Sequence, residues 1–313
     1  MSTIFKRTPV PIAGLMLGLV GAGNLVLSYG SQYRYLAGLL AVSILLLLIG
    51  RLFIDCRGVV NDLKNPVVAS VALTFSMAII ILASYIVPFS YQLALYIWYG
   101  GIILHALLVI IFSFRFIMNF DIKNVFPSYF IVYVGIVVAS VTAPLFNRIE
   151  LGQIIFWFGF IAYMILLPIV TYRVFRIGEM KDPTLPTISI FTAPAGLCLA
   201  GYMSVFPEKN MLMLGWLLLL TLTMLALVLI YLPKMLAVGF YPSFSAFTFP
   251  FVITAIGLKL TSGFLEKEFN STLLLYPARI AEILSVGLVL FVLFKYLSHF
   301  IQISNQKLLK IKT

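Results

Sequence analysis

The sequence predicts an all-α polytopic membrane protein with ten transmembrane helices arranged as five helical hairpins. Of its 313 residues, 62% are hydrophobic and only 10% are charged, whereas soluble domains carry about 25% charged residues. Apolar runs long enough to cross a bilayer as helices recur along the whole chain. Every second run opens with a proline at a similar interval, which indicates a repeated hairpin; these prolines are Pro11, Pro66, Pro127, Pro186 and Pro242.

The predicted spans follow one another with short connections. The first apolar run is longer than the apolar core of a secretory signal, so we interpret it as a span. The spans are predicted at residues 9–29, 34–53, 66–88, 92–116, 126–146, 149–172, 185–206, 210–232, 242–264 and 273–298. They form one transmembrane domain over residues 1–313, with hairpins at 9–53, 66–116, 126–172, 185–232 and 242–298 and a short basic tail at 299–313.

The odd-numbered spans differ from the even-numbered spans in composition. They carry small residues, hydroxyls and prolines, such as Gly14 and Gly18 in the first, Thr74 in the third, Ser140 in the fifth and Pro194 in the seventh. Because small residues let helices approach closely while bulky residues suit lipid, we expect an inner ring of odd helices. That ring either encloses a pore, which these five residues would line, or is only a tightly packed core, and composition favours neither alternative.

The ninth span is the stretch best suited to line a pore. It carries several hydroxyls and Pro250, whose missing N–H bends a helix and frees a carbonyl that protein or water must satisfy. Phe247 and Phe249 precede the proline and point about 200° apart on a helix, so both cannot face one axis. We interpret this span as one wall of an anion-conducting pore, lined by Thr248 and Pro250 and closed by Phe249.

Basic residues predict how the chain is oriented in the membrane. Most Lys and Arg residues in the connections fall on the side of the N-terminus and the C-terminal tail. This distribution predicts that both termini are cytoplasmic in a cell membrane. The net charge of +11 therefore indicates topology, and we predict no binding to nucleic acid.

Few ionisable residues lie within the predicted spans. Lys259 either extends outward or pairs with Glu282, and Arg279 lies three residues before Glu282 as another partner. We predict structural ion pairs here rather than anion ligands. His105 has no acidic neighbour on its span, which favours a structural histidine over a proton relay. The sequence has no cluster of the residues that a metal centre, a cofactor site or a catalytic site needs. We therefore predict no metal, no cofactor and no enzymatic activity.

Three segments resemble a known family. Residues 11–19 (PIAGLMLGL) resemble the glycine-rich first helix of the TehA tellurite-resistance proteins and plant slow-type anion channels. Residues 192–204 (TAPAGLCLAGYMS) are similar to their seventh helix, in which A-P-A precedes a cysteine and a tyrosine. Residues 246–249 (AFTF) are similar to the A-F-S-F of their ninth helix. The order and spacing of the three segments agree with the family across nearly the whole chain.

The resemblance implies a homotrimer with one central pore per subunit that conducts small inorganic anions such as chloride or nitrate-like ions. It implies that Phe249 occludes this pore; Pro250 is a departure, because the bacterial relative has glycine there. The alternative is a secondary transporter that exports oxyanions or dicarboxylates, such as tellurite, sulfite or malate. Coupled transport usually needs an intramembrane titratable group, and only His105, Lys259 and Glu282 could serve.

Overall fold

The computed structural model describes the backbone of residues 2–118 and 120–312 and the side chains of residues 4–118 and 120–302. In that part of the chain, nine helices are long and apolar enough to cross a membrane, and one further apolar helix is shorter. The all-α membrane fold class is confirmed, and the number of membrane crossings stays a prediction. In chain order the ten helices are α1 (Ile12–Leu25), α2 (Ser31–Ile54), α3 (Pro66–Ile86), α4 (Tyr91–Ile117), α5 (Tyr129–Phe146), α6 (Ile149–Ile177), α7 (Asp182–Val205), α8 (Met211–Leu236), α9 (Pro242–Phe269) and α10 (Leu275–Gln302).

The five odd helices form a closed ring. Helix α1 packs on α3, α3 on α5, α5 on α7 and α7 on α9, and α9 returns to α1. Each even helix packs on the odd helix that precedes it. Burial follows this arrangement, because 67% to 89% of the apolar windows of α3, α5, α7 and α9 is buried, against 22% to 39% in the even helices. The odd helices therefore lie inside and the even helices outside.

Glycines allow the ring to be tight. A β-carbon added at Gly18 of α1 would lie 2.4 Å from Cβ of Thr248 in α9. One added at Gly196 of α7 would lie 2.7 Å from Cα of Thr254 in α9. These distances leave no room for a side chain unless the helices move apart. The small residues of the odd helices thus have a packing role, one of the alternatives that composition left open.

Most of the odd helices are interrupted in their first halves. Helix α3 is broken at Leu73, and α5 contains a 3₁₀ turn over Gly135–Val137. Helix α7 begins with a 3₁₀ segment over Asp182–Phe191, and α9 begins with one over Pro242–Phe247. Since 3₁₀ segments place their carbonyls differently from an α-helix, these interruptions leave backbone groups that neighbouring helices must satisfy.

The bend in α9 lies two residues earlier than the sequence suggested. Thr248 has φ −94° and ψ −87°, and Pro250 lies in the first turn of the α-helical part that begins at Phe249, where a missing N–H costs nothing. The carbonyl four residues before the proline, that of Ala246, accepts a hydrogen bond from Oγ of Ser189 in α7 at 2.6 Å. Of the two partners expected for this carbonyl, protein or water, the structure shows a protein side chain.

The last helix extends beyond the predicted span. The helical backbone continues past Gln302, where the apolar span α10 ends, to Lys312, so much of the predicted tail at 299–313 is helical. The side chains of residues 303–313 lie outside the described part of the chain. The lysines of the predicted basic tail belong to this segment. The cytoplasmic position of the tail and the division into hairpins stay predictions.

Candidate functional site

A cavity of about 40 Å³ lies at the centre of the ring, lined by residues from all five odd helices. Since one water needs about 10–15 Å³ of such space, it has room for about three. The lining residues lie close to the interruptions of the helices: Thr74 follows the break in α3, Gly135 begins the turn in α5, and Ser245 and Phe249 flank Thr248 in α9. The irregular backbone thus surrounds the centre of the molecule.

Five residues named by the sequence analysis border this cavity. They are Gly14 of α1, Thr74 of α3, Pro194 of α7, and Phe249 and Pro250 of α9. The ring therefore brings together positions that are far apart in the chain. Their roles in conducting or blocking an ion stay predictions.

Gly18, Thr248 and Ser140 are not among the cavity-lining residues. Gly18 and Thr248 face each other, and Oγ1 of Thr248 lies 2.9 Å from the carbonyl oxygen of Gly14. Oγ of Ser140 donates to the carbonyl oxygen of Gly152 in α6 at 2.7 Å. In the structure, these three residues join neighbouring helices.

The wall of the cavity offers little fixed charge. None of the lining residues in the described part of the chain is ionisable. The hydroxyl of Thr74 lies 2.7 Å from the carbonyl oxygen of Val71 in its own helix, which is the back-bonded arrangement common for such residues. An ion in this cavity would therefore meet apolar side chains, backbone, the hydroxyl of Ser245 and the back-bonded hydroxyl of Thr74.

Phe249 lies against the glycine face of α1. Its side chain is 4% exposed, and a β-carbon added at Gly21 would meet its Cδ2 and Cε2 atoms at 3.3 and 3.4 Å. Phe247 packs edge-on against Phe244 instead, with ring centroids 5.2 Å apart, and does not border the cavity. The two rings diverge, so only Phe249 of the pair borders the central space.

Helix α5 contributes residues to the cavity that were not predicted from the sequence. Phe130, Val134 and Gly135 border the cavity, and the ring of Phe130 packs edge-on against Phe191 with centroids 5.5 Å apart. The prolines that open the odd helices indicate some of the residues that line the cavity. Gly14, Phe130 and Ser245 each lie three residues after an opening proline, and all three border the cavity.

His105 joins three helices beside the ring. Its Nδ1 lies 2.9 Å from Oγ of Ser76 in α3, and its Nε2 lies 3.2 Å from the carbonyl oxygen of Val132 in α5. The residue is fully buried. Both ring nitrogens have partners, which is the hydrogen-bonded arrangement expected of a structural histidine.

Glu282 pairs with Lys259 and not with Arg279. Nζ of Lys259 lies 2.9 Å from Oε1 of Glu282, and the hydroxyl of Tyr29 donates to Oε2 at 3.4 Å. Arg279 is exposed and lies within 4.0 Å of no carboxylate among the described side chains. The predicted Arg279–Glu282 pair is therefore wrong, because Glu282 faces α1 and α9 while Arg279 lies on the outer face of α10.

We expect the substitution Lys259→Met to lower the free energy of unfolding by about 1–2 kcal/mol. Breaking a fully buried ion pair costs about 3–5 kcal/mol, and the 36% exposure of the Lys259 side chain reduces that cost. Thermal unfolding of the purified protein in detergent measures the change. The control Lys267→Met removes an ammonium whose side chain is 82% exposed and should leave Tm unchanged. Equal Tm values for Lys259→Met and the wild type would contradict the prediction.

Comparison with known proteins identifies the family of this chain. No curated protein matches the chain. The model of the voltage-dependent anion channel family matches residues 10–297, which includes nearly all of α1 to α10. The resemblance to the TehA and slow-type channel proteins is thereby confirmed. Because the match spans nearly the whole helical ring, the chain belongs to the voltage-dependent anion channel family.

Proposed function

We propose that this protein is a channel that conducts small inorganic anions, such as chloride and nitrate-like ions, down their electrochemical gradient. The observation that carries the proposal is the cavity on the axis of the ring, bordered by all five odd helices. Membership of the voltage-dependent anion channel family supports anions as the transported class. The ions would pass along the axis of each subunit.

Two features of the axis favour uncoupled permeation. The described lining of the cavity has no ionisable side chain, so a passing anion is not trapped by a fixed opposite charge and can leave as readily as it enters. The odd helices also begin at the same end of the ring, where the positive ends of their dipoles favour anions. Selectivity then arises from backbone and hydroxyl dipoles instead of a charged filter.

Phe249 is the proposed gate. An apolar ring across a narrow space excludes water, and a hydrated anion cannot pass until the ring moves. Phe249 directly follows Thr248, where the backbone of α9 departs from helical geometry. The gate therefore lies next to the point at which the helix changes from 3₁₀ to α.

Secondary transport of oxyanions or dicarboxylates, such as tellurite, sulfite or malate, is the second candidate function. The 3₁₀ openings of α7 and α9 favour it, because discontinuous helices form the binding sites of many secondary transporters. None of the titratable groups considered for coupling is among the residues that line the cavity, and His105 and Glu282 are held by other partners. We therefore place this function second.

A proton-coupling test separates the two functions. In the channel, we expect Glu282→Gln to leave the pH dependence of anion flux into vesicles unchanged, because Glu282 contacts Lys259 and not the axis. The measurement is downhill flux of chloride and malate, each followed at several pH values. The control is Glu150→Gln at the exposed start of α6. Loss of a pH-driven flux in Glu282→Gln alone would favour the transporter.

We also propose that three copies assemble as a homotrimer in the cell membrane, with one pore per subunit and both termini cytoplasmic. The even helices expose large apolar residues to lipid or neighbouring subunits. Native mass spectrometry of the detergent-solubilised protein measures the number of copies. Labelling of single cysteines placed near each terminus, in sealed cells and in lysed cells, measures the orientation.

Reversal potentials test the proposed function. Purified Phe249→Ala protein in a planar bilayer under a chloride gradient should carry a current that reverses near the chloride potential. Exchange of the cation should not move this potential, whereas replacement of chloride by gluconate should. A reversal that follows the cation gradient would contradict the proposal. Silence of both wild type and variant, with normal folding and insertion, would contradict it as well.

A further inference from the structure

The faces of α1 and α3 that border the cavity continue towards the far end of each helix. Seven residues make nearly two helical turns, so position i+7 returns to the same face about 10 Å further on. Seven residues after Leu17 and Met77, which border the cavity, come Asn24 and Ser84. Both steps lie within uninterrupted helix, so Asn24 and Ser84 are on the axis-facing sides, about two turns beyond the cavity.

The same step on two other odd helices reaches residues that are less buried than those around the cavity. Seven residues after Leu197 of α7 and Phe249 of α9 come Ser204 and Ile256, and both are half-buried, like Asn24. The residues that border the cavity on these helices are buried more deeply, as the 4% exposure of Phe249 shows. Burial of the ring therefore decreases beyond Phe249, and we call this less buried level, which carries the polar side chains of Asn24 and Ser204, the outer mouth.

Arg34 of α2 reaches this level between α1 and α3. Its Nε donates to Oδ1 of Asn24 at 2.8 Å, and its Nη2 donates to the carbonyl oxygen of Ser84 at 2.8 Å and lies 3.2 Å from that residue's Oγ. Its Cζ atom lies 4.3 Å from the centre of the Tyr85 ring. These contacts fix the guanidinium in one orientation beside the axis.

The charge of Arg34 is not neutralised. Among the described side chains, no carboxylate lies within 4.0 Å of it. Its partners are an amide, a hydroxyl, a carbonyl and an aromatic ring, and Nη1 donates no hydrogen bond to the described residues and is not enclosed. A fixed cation with an unused donor is the group that anions recognise.

We propose that Arg34, held by Asn24 and Ser84, forms a binding site for small inorganic anions at the outer mouth of the axis, beyond Phe249. The site rests on the proposed channel function and adds to it a place where anions collect before the gate. An unpaired charge in a cleft raises the local concentration of counter-ions and their rate of entry. The unused Nη1 donor would bind the anion directly.

Charge-cancelling variants test this site in the conducting Phe249→Ala background. Arg34→Gln removes the charge, while Asn24→Asp keeps the acceptor for Nε and neutralises the guanidinium with the fold's contact intact. At about 10 mM salt, where the Debye length is about 30 Å, each should reduce the current for anions entering from the outside by about tenfold. At about 1 M salt the charge is screened within about 3 Å, and the difference should fall below about twofold.

A matched control and a binding measurement make the test decisive. Arg148→Gln removes an exposed cation that donates to the hydroxyl of Tyr99, and its current should equal that of the parent. Parent-like currents from both charge-cancelling variants would overturn the site while leaving the channel function standing. If the Phe249→Ala parent carries no chloride current, the proposed function fails instead. The site is then decided by bromide soaks: an anomalous peak beside Arg34, lost in Asn24→Asp, supports it, and no peak overturns it.

Discussion

Phe249→Ala should raise the chloride current of the purified protein in a planar bilayer by about 100-fold or more. The side chain borders the axial cavity and is 4% exposed, so its removal enlarges a space that has room for only about three waters. Water can then cross the constriction, and the anion no longer has to shed its hydration shell. A 100-fold change corresponds to a barrier lowered by about 3 kcal/mol.

The neighbouring phenylalanine provides the matched control for the gate. Phe247→Ala removes the same ring two residues earlier, where it packs on Phe244 away from the cavity. We expect this variant to lower Tm, because Phe247 is fully buried, and to stay as silent as the wild type. Phe249→Leu should give an intermediate current. Equal currents from wild type and Phe249→Ala would keep a pore but remove Phe249 as its gate.

Gly18→Ala should lower the free energy of unfolding by about 1–3 kcal/mol, the usual cost of overpacking. The added carbon would lie 2.4 Å from Cβ of Thr248 and 2.5 Å from its Oγ1. Helix α1 must then move away from α9, and the hydrogen bond from Thr248 to the carbonyl of Gly14 is lost. Thermal unfolding in detergent measures the change.

Glycines on the outer helices give the control for Gly18. A β-carbon at Gly100 of α4 or Gly215 of α8 meets no atom of the described residues within 4 Å. Gly100→Ala and Gly215→Ala should therefore leave Tm unchanged or raise it, since alanine favours a helix over glycine by about 1 kcal/mol. A Gly18→Ala protein as stable as these two would show that α1 and α9 adjust without cost.

The ring could be predicted from sequence because its cause is local composition. Gly14 and Gly18 lie on the face of α1 that meets α9, and small residues mark such contacts in any membrane helix. The position of the bend in α9 could not be predicted in the same way. A proline reveals a missing donor, but the bend at Thr248 is held by Ser189 and by Gly14, which lie on other helices. Those contacts follow from the fold.

For the charged residues too, the sequence predicts contacts between helices that follow one another in the chain but not contacts that depend on the fold. Lys259 and Glu282 lie on consecutive helices that pack together, and their pairing was among the predicted alternatives. Helical spacing also allowed Arg279 to reach Glu282, but spacing does not tell which face of α10 turns towards the protein. Arg34 was missed because its partners, Asn24 and Ser84, lie on two different helices. An arginine near the start of an outer span otherwise resembles an ordinary interfacial anchor.

The contact between α1 and α9 has a consequence for biosynthesis. The hydrogen bond from Thr248 to Gly14 joins residues 234 positions apart, and chains grow at about 5–20 residues per second. Helix α9, which α1 contacts in the folded protein, is therefore synthesised on the order of 10–50 s after α1. Until then the glycine surface of α1 is open to other nascent segments and to lipid, and a chain that stops before the ninth helix has no closed interior.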